Sequence, residues 1–392
     1  MNILFYTPFR VSEQKGGTER ITARISTELR KRGHRCFAAY GQDIGSDFQL
    51  TDFDGSINFS KSSLFNFLVD KKIEVIVFQI MTREVKKIKE FVVSRGLQIK
   101  IISVLHFNPG YEEMKISFSL LLKQLISDRK LSILLTLEIV RVCLYPFYRI
   151  FYPQRNKGLY RTVYSFSDRV VVLSKSFVNE FVNYASLKDK SKFCVIPNAL
   201  SYDEYAGESI ILRKKRQVLI VSRLEEPQKR ISTSIKIWKK IEEDVTLKDW
   251  HLVIVGTGGD EKNYKKLVRK LHLDRITFCG RQDPKSYYIE SAIFMMTSRF
   301  EGWGLTLTEA QQFGCIPIAF DTYSSLHDII EGNQNGYIIP WQDEYSFYLN
   351  MKELMTDENL RVTMAKSAID TSKQFAINQI IDQWEEIMMK GN

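Results

Sequence analysis

The stretch Ser298–Ala310, SRFEGWGLTLTEA, carries two glutamates, Glu301 and Glu309, separated by seven residues, with Gly302 and Gly304 just after the first. It follows the apolar run Ile293–Thr297, so the glycines fall at a turn from a strand into a helix. Glycine at such a turn lets backbone N–H groups approach a ligand closely, and a helix N-terminus favours an anion. Glu301 is expected to project from the loop and Glu309 to lie within the helix. So placed, the two carboxylates can hydrogen-bond two sets of hydroxyls along one polyhydroxylated ligand. A second cluster is VSRLEEPQKR, Val221–Arg230, where Arg223 leaves the end of a strand and Lys229 begins the next helix. A guanidinium and an ammonium at the carboxyl edge of a parallel strand suit a diphosphate. Pro227 sits just before that helix and helps to fix the lysine.

The elements that position these residues repeat a simple rhythm. Strand-like runs at Asn2–Thr7, Cys36–Tyr40, Glu74–Gln79, Ile99–Leu105, Arg169–Leu173 and Phe193–Ile196 are separated mostly by helical stretches. The first of these stretches is Thr18–Arg32, with Gly33 as its C-terminal cap. After the polar segment Pro197–Lys215 the rhythm restarts, with strands expected at Val218–Ser222, Leu252–Val255, Ile276–Cys279, Ile293–Thr297, Ile316–Phe320 and Gly336–Ile339. Strands alternating with helices imply an α/β chain of two doubly wound, mainly parallel sheets, with ligands at the carboxyl ends of the strands. The boundary falls near Pro197, giving an N-terminal domain over 1–197 and a C-terminal one over 198–374. Phe375–Met389 reads as a final helix with Ile380 and Trp384 on its apolar side.

Two further features stand at strand ends. KGGTER, Lys15–Arg20, places Gly16 and Gly17 between the first strand and first helix, where backbone amides can face an anion. His106 directly follows the run IISVL. Neither KGGTER nor GTGGD at Gly256–Asp260 is the G-x-G-x-x-G fingerprint, which argues against a dinucleotide-dependent oxidoreductase.

The 392 residues carry 56 basic and 46 acidic side chains. Residues 1–200 hold 31 Lys and Arg against 18 Asp and Glu, whereas the remainder holds 25 against 28. The excess positive charge thus belongs wholly to the N-terminal half, which points to an anionic partner: a membrane leaflet, a nucleic acid or a phosphorylated substrate. The longest charge-free runs, such as Ile101–Tyr111 and Ala310–Phe320, reach 11 residues, about half of what a membrane-spanning helix needs. No secretory signal is evident at the N-terminus. Five scattered cysteines without metal-clip spacing read as reduced thiols of a cytosolic protein. Glu113–Phe166 breaks the rhythm and reads as two or three amphipathic helices, with Pro146 expected to interrupt or kink any helix there. It either covers the sheet or lies in the plane of a membrane surface.

The paired-glutamate stretch resembles that of retaining, GT-B fold glycosyltransferases of the large family 4, the glycosyl transferases group 1. GCIPIAFD (Gly314–Asp321), IPNAL (Ile196–Leu200), FCGRQD (Phe278–Asp283) and NGYIIP (Asn335–Pro340) match in the same order, so the resemblance covers nearly the whole chain. It implies two Rossmann-like domains facing a cleft, acceptor side first and donor side second, with the last helix (375–392) crossing back to the N-terminal domain. It implies that Glu301 binds donor-sugar hydroxyls and Glu309 the ribose, with Arg223 and Lys229 stabilising the leaving nucleoside diphosphate. Gly302, Trp303, Gly304 and Leu305 would frame the donor, Gly16 and Gly17 face its phosphate, and Arg281 and Gln282 lie near the base. His106 would contact the sugar. Where the family usually has a Gly-Gly pair and a glutamate after Asp321, this chain has Ser324-Ser325 and then Asp328, which changes the local donor contacts.

The expected activity is therefore transfer of a hexose-type sugar, from a UDP-sugar in preference to GDP-mannose, to a hydroxyl of a lipid-linked or polysaccharide acceptor in bacterial-type surface glycan assembly. No metal or other cofactor is expected. The basic N-terminal half fits an enzyme held peripherally on the anionic inner face of the cell membrane. A GT-B phosphorylase or epimerase would share the same cleft. A nucleic-acid-binding module would explain the charge, but no recognised nucleic-acid motif is present, and no nucleic-acid partner is expected.

Overall fold

A computed structural model describes residues 1–9, 16–42, 52–59, 63–114 and 145–390. The chain divides into two compact units, Met1–Ile196 with Ile381–Asn392, and Pro197–Ile380.

The first unit is built on seven strands: β1 (Asn2–Phe9), β2 (Arg35–Gln42), β3 (Gly55–Asn58), β4 (Val75–Phe78), β5 (Lys100–Leu105), β6 (Arg169–Val172) and β7 (Phe193–Val195). Their order across the sheet is β3-β2-β1-β4-β5-β6-β7, and every pairing is parallel. Sequence patterning leaves β3 unmarked, since GSIN has little strand propensity. It forms because Phe37–Tyr40 of β2 supply its ladder, a case of tertiary pairing overriding propensity. Among the described residues, six helices connect these strands: α1 (Gly17–Lys31), α2 (Leu64–Asp70), α3 (Glu84–Ser94), α4 (Tyr111–Met114), α5 (Tyr145–Phe166) and α6 (Lys175–Ala185). Gly33 ends α1 with φ +88° and donates to the Arg30 carbonyl at 3.0 Å. The central strands are buried on both faces, as VIVF in β4 shows.

Residues 115–144 of the long helical stretch lie outside the described residues. Pro146 does not interrupt the helix that follows. It falls in the first turn of α5, where helical N–H groups have no intrahelical acceptor, and the proline in the helix interior is Pro153. Among the described residues no helix is long and apolar enough to cross a membrane.

The second unit holds β8 (Lys215–Val221), β9 (His251–Val255), β10 (Ile276–Gly280), β11 (Ser291–Met296), β12 (Ile316–Phe320) and β13 (Tyr337–Ile339), again all parallel, in the order β10-β9-β8-β11-β12-β13. Its helices begin with α7 (Glu208–Leu212), α8 (Glu226–Lys229), α9 (Ile231–Glu243), α10 (Glu261–Lys270) and α11 (Lys285–Glu290). They continue with α12 (Leu305–Gln312), α13 (Glu344–Thr356), α14 (Glu358–Ser372) and α15 (Ile377–Met389). In each sheet the strand order reverses once, between β1 and β4 and between β8 and β11. Such a switch point leaves a crevice at the strands' carboxyl ends, the usual ligand position in this architecture.

The last residues of α15 cluster with the first unit. Arg32 Nη1 pairs with Asp382 and with Glu385, each at 2.6 Å, and His34 Nε2 meets Glu385 Oε1 at 2.8 Å. Lys100 Nζ caps the helix end through the Ile387 carbonyl at 3.0 Å. Ile380 and Trp384 are both buried.

Candidate functional site

In the second unit the switch-point strands deliver both chemical clusters. β8 ends at Val221, and the chain turns through Ser222 and Arg223 into α8, whose first turn holds Pro227. The turn is tied down by Leu224 N–H, which donates to the Thr257 carbonyl at 2.9 Å, and by Glu226 N–H, which donates to the buried Asp260 carboxylate at 2.9 Å. This close backbone approach explains GTGGD. A Cβ at Gly256 would lie 1.8 Å from the Ser222 carbonyl oxygen, and one at Gly258 2.4 Å from that of Leu224. Those glycines serve the packing of two loops.

β11 ends at Met296, and Thr297 and Ser298 lead into the glycine loop. Thr297 Oγ1 shares its proton between the carbonyls of Lys229 (3.2 Å) and Arg230 (3.1 Å), which ties the end of β11 to the junction of α8 and α9. Arg230 itself takes a left-handed backbone, φ +54°, between α8 and α9. A non-glycine residue held there marks local strain, a feature that concentrates at functional sites. A small pocket opens here, lined by Ile220, Ser222, Lys229, Met296, Thr297 and Ser298 among others.

The structure brings Lys229 and Glu301 together, with Nζ 2.5 Å from Oε1. Arg223 stands beside them on the same turn, its guanidinium bonded to Glu225 Oε1 and Gln228 Oε1, each at 3.1 Å. Gln228 Nε2 in turn donates to the carbonyl of Phe300, the residue before Glu301, at 3.2 Å. Gly304 caps α12 with φ +86°. A Cβ on it would meet Tyr323 Oη at 2.9 Å, so that position needs glycine twice over. Burial, with the charge of Glu301 adding to it, holds the Tyr323 phenol far above its ordinary pKa. The tyrosine therefore stays neutral beneath the loop.

Glu309 is placed otherwise than Glu301. Its side chain is fully buried in α12, one oxygen accepting from Ser201 Oγ at 2.5 Å and the other from Tyr288 Oη at 2.8 Å. Trp303 lies between the two glycines, yet its ring is core, crossing Phe375 edge-on at 5.1 Å. Leu305 and Gly302 are also buried, so what this loop offers a ligand is chiefly backbone. Arg281 and Gln282 are exposed after β10, two strands away from β8 and hence roughly 10 Å across the sheet. The departure at Ser324-Ser325 has a structural use. Ser325 is buried and donates to the Gly302 carbonyl at 2.8 Å, a restraint that glycine cannot supply.

The remaining predicted residues belong to the first unit. Gly16 is the N-cap of α1, its carbonyl accepting from Arg20 N–H at 3.1 Å, and Gly17 is the first helical residue. His106 follows β5 and shares a 2.5 Å hydrogen bond with Gln79, which follows the neighbouring β4. Burial pushes the His106 imidazole down to about 4, so it is neutral near pH 7. Among the described residues no three His, Cys, Asp or Glu side chains converge as metal ligands.

Sequence reasoning did not reach Gln228, Ser201 or Tyr288. Gln228 stands next to Lys229 in a motif that draws attention to its charges, and an amide gives no such signal. Tyr288 and Ser201 lie 21 and 108 residues from Glu309.

Two parallel α/β units of this strand order, the second with a cation turn and a carboxylate loop at its switch point, define the GT-B class of glycosyltransferase folds. The solved structures agree: the chain superposes on Anabaena Alr3699/HepE, determined in complex with UDP-glucose, with a TM-score of 0.72 at 17% identity over 99% of both chains. Residues 202–371 match the family model described as glycosyl transferases group 1, and this stretch is a domain of that family.

Curated relatives are more similar in sequence. The chain is 28% identical over 231 residues to the amylovoran biosynthesis glycosyltransferase AmsD of Erwinia amylovora, covering 57% of this chain and 63% of that protein. It is 25% identical over 240 residues to an alpha-1,4-N-acetyl-D-galactosaminyltransferase of Campylobacter jejuni named for a PP-undecaprenol-linked glycan, covering 60% of this chain and 64% of that protein. The matches therefore span just under two thirds of these relatives.

Proposed function

We propose that this chain is a retaining glycosyltransferase that moves a hexose-type sugar from a nucleoside-diphosphate sugar, UDP-linked in preference to GDP-linked, to a hydroxyl of a lipid-linked or polysaccharide acceptor. The observation that carries this reading is the Lys229–Glu301 pair at the carboxyl ends of β8 and β11, with Arg223 on the same turn. A diphosphate entering there meets one guanidinium whose side chain is 59% exposed and one ammonium. Both stand in place before the reaction and, once phosphate oxygens replace Glu225 and Glu301 as their partners, they stabilise the charge that develops on the leaving group. Glu301, released from Lys229 by the competing phosphate, is then an acceptor for sugar hydroxyls. His106, neutral, offers a hydrogen bond without a charge. The acceptor hydroxyl attacks from the face the diphosphate leaves, and a departing phosphate oxygen takes the proton. On this scheme the reaction needs no metal, and a chelator leaves the rate unchanged.

The acceptor class is supported by the names of the relatives, which point to amylovoran and to a PP-undecaprenol-linked glycan. The UDP preference is supported by the UDP-glucose complex of the Anabaena protein. A bacterial surface-glycan role at the inner face of the membrane fits the basic N-terminal half. It also fits α5, where Phe147 and Phe151, one turn apart, are 61% and 67% exposed on the face that continues to exposed Arg155.

A thermal-shift panel of UDP-, GDP- and ADP-sugars tests the donor, because a bound ligand stabilises the folded state by mass action. Melting unchanged by all three sinks the reading, as does donor turnover that survives in Glu301→Ala and Lys229→Ala. Free nucleotide released with and without acceptor separates transfer from phosphorolysis or epimerisation. Flotation with anionic-lipid vesicles at low salt tests the membrane contact, and protein left at the bottom of the gradient removes that part of the proposal.

A further inference from the structure

Gln228 is 7% exposed and bonds to both halves of the candidate site. Its Oε1 accepts from Arg223 Nη2 at 3.1 Å, its Nε2 donates to the Phe300 carbonyl at 3.2 Å, and its own carbonyl accepts from Arg299 N–H at 2.7 Å. The partners dictate which way the amide points. A guanidinium only donates and a carbonyl only accepts, so the amide oxygen must face Arg223 and the nitrogen Phe300.

We propose that Gln228 is a positioning residue that fixes the Arg223 guanidinium against the loop carrying Glu301. The cation meant for the leaving diphosphate and the carboxylate meant for the sugar then keep one separation. The proposal rests on the nucleotide-sugar reading above and adds a residue that touches neither phosphate nor sugar.

Arg223 needs such a restraint. Its other hydrogen bond goes to Glu225, and the two side chains are 59% and 42% exposed. A surface pair of that kind holds a guanidinium weakly, and an arriving diphosphate competes with the Glu225 carboxylate for the same donors. The Gln228 amide is uncharged and itself buried, so an arriving diphosphate does not displace it as it displaces the exposed Glu225 carboxylate. Because Gln228 also holds the residue before Glu301, a displacement of the turn displaces the loop with it. Prearranged groups of this kind raise affinity by removing the ordering cost at the moment of binding.

Calorimetric titration of UDP, GDP and ADP into wild type, Gln228→Met, Arg223→Met and the double variant tests this. Gln228→Met keeps length and volume but loses both polar ends. The nucleoside diphosphate that binds wild type is expected to bind Gln228→Met about tenfold more weakly. The double variant is expected to bind it no more weakly than Arg223→Met alone, because Gln228 acts through Arg223. A Gln228 that merely supports the fold would weaken binding equally in both backgrounds. That result overturns the proposal, and so does unchanged binding in Gln228→Met.

Gln228→Asn is the second variant and decides the matter if Gln228→Met shows no cooperative melt. It keeps an uncharged amide but is one methylene too short to reach both Arg223 and the Phe300 carbonyl. It is expected to weaken binding by a similar factor, again only while Arg223 is present, and equal losses in both backgrounds overturn the proposal. A wild type that binds none of the three diphosphates sinks the nucleotide-sugar reading and takes this inference with it. Binding by wild type with fully additive losses sinks the inference alone.

Discussion

Lys229 Nζ lies 2.5 Å from Glu301 Oε1, and the two side chains are only 14% and 10% exposed. A cation from the turn after β8 thus neutralises a carboxylate from the loop after β11, and each keeps the other from being a lone buried charge. Coulomb attraction here must offset the desolvation of both ions, so the pair adds little net stability, whereas breaking it adds a full penalty. Lys229→Ala and Glu301→Ala are each expected to lower the unfolding free energy by about 3 kcal/mol. The double variant Lys229→Ala/Glu301→Ala should lose much less than the sum of the singles. Guanidinium unfolding of the four proteins measures this, and strictly additive losses would refute the coupling.

Glu309 leads to a prediction of a different kind, because its oxygens are both occupied by Ser201 and Tyr288. Hydrogen bonds to a buried carboxylate contribute about 1.5–3 kcal/mol each. Tyr288→Phe should therefore destabilise the fold by about that amount while leaving the Lys229–Glu301 pair intact. Combined with Glu309→Gln, whose neutral amide depends less on the phenol, the loss should shrink. Thermal melts of the singles and the double distinguish this from a loss of packing, which would be the same in both backgrounds.

The contrast between these two glutamates shows what the sequence makes legible. Arg223, Lys229 and Glu301 are visible because charge beside glycine or proline at the end of an apolar run marks a strand end, and strand ends are where such folds bind ligands. The parallel sheets follow from the same alternation of strands and helices. What escapes is whatever depends on long-range partners. Glu309 has the spacing of a ligand-binding group, but only the folded chain shows Ser201, 108 residues away, closing on it. Trp303 sits between glycines and reads as a loop residue until Phe375 is seen against its ring. The short strand β3 has no propensity of its own and exists through its pairing with β2.

Gly304 combines a left-handed backbone with a neighbour in the path of any Cβ. Gly304→Ala should cost about 1–2 kcal/mol for the backbone conformation alone, plus the displacement of Tyr323. In a Tyr323→Phe background the atom nearest the new methyl group is gone. The alanine should then be better tolerated, with a coupling of about 0.5–1 kcal/mol in a double-mutant cycle. Zero coupling would mean that the loop, rather than the tyrosine, gives way.

His106 sets a pH dependence whose sign follows from its burial. The imidazole is pushed from 6.5 down to about 4 in the folded chain. As pH falls below 6.5 the unfolded chain takes up a proton that the folded chain refuses, so the unfolded state gains and stability drops. The drop continues to about pH 4 and levels off below it, once both states are protonated. Its full size is at most about 3 kcal/mol. His106→Gln removes this titration while leaving a side chain that can bond to Gln79. Denaturant unfolding between pH 7 and pH 4, at intervals of about half a unit, should therefore show a shallower loss of stability in the variant. Parallel curves for the two proteins would mean that the folded histidine titrates like an exposed one, and that His106 is a cation rather than a neutral donor at mildly acidic pH.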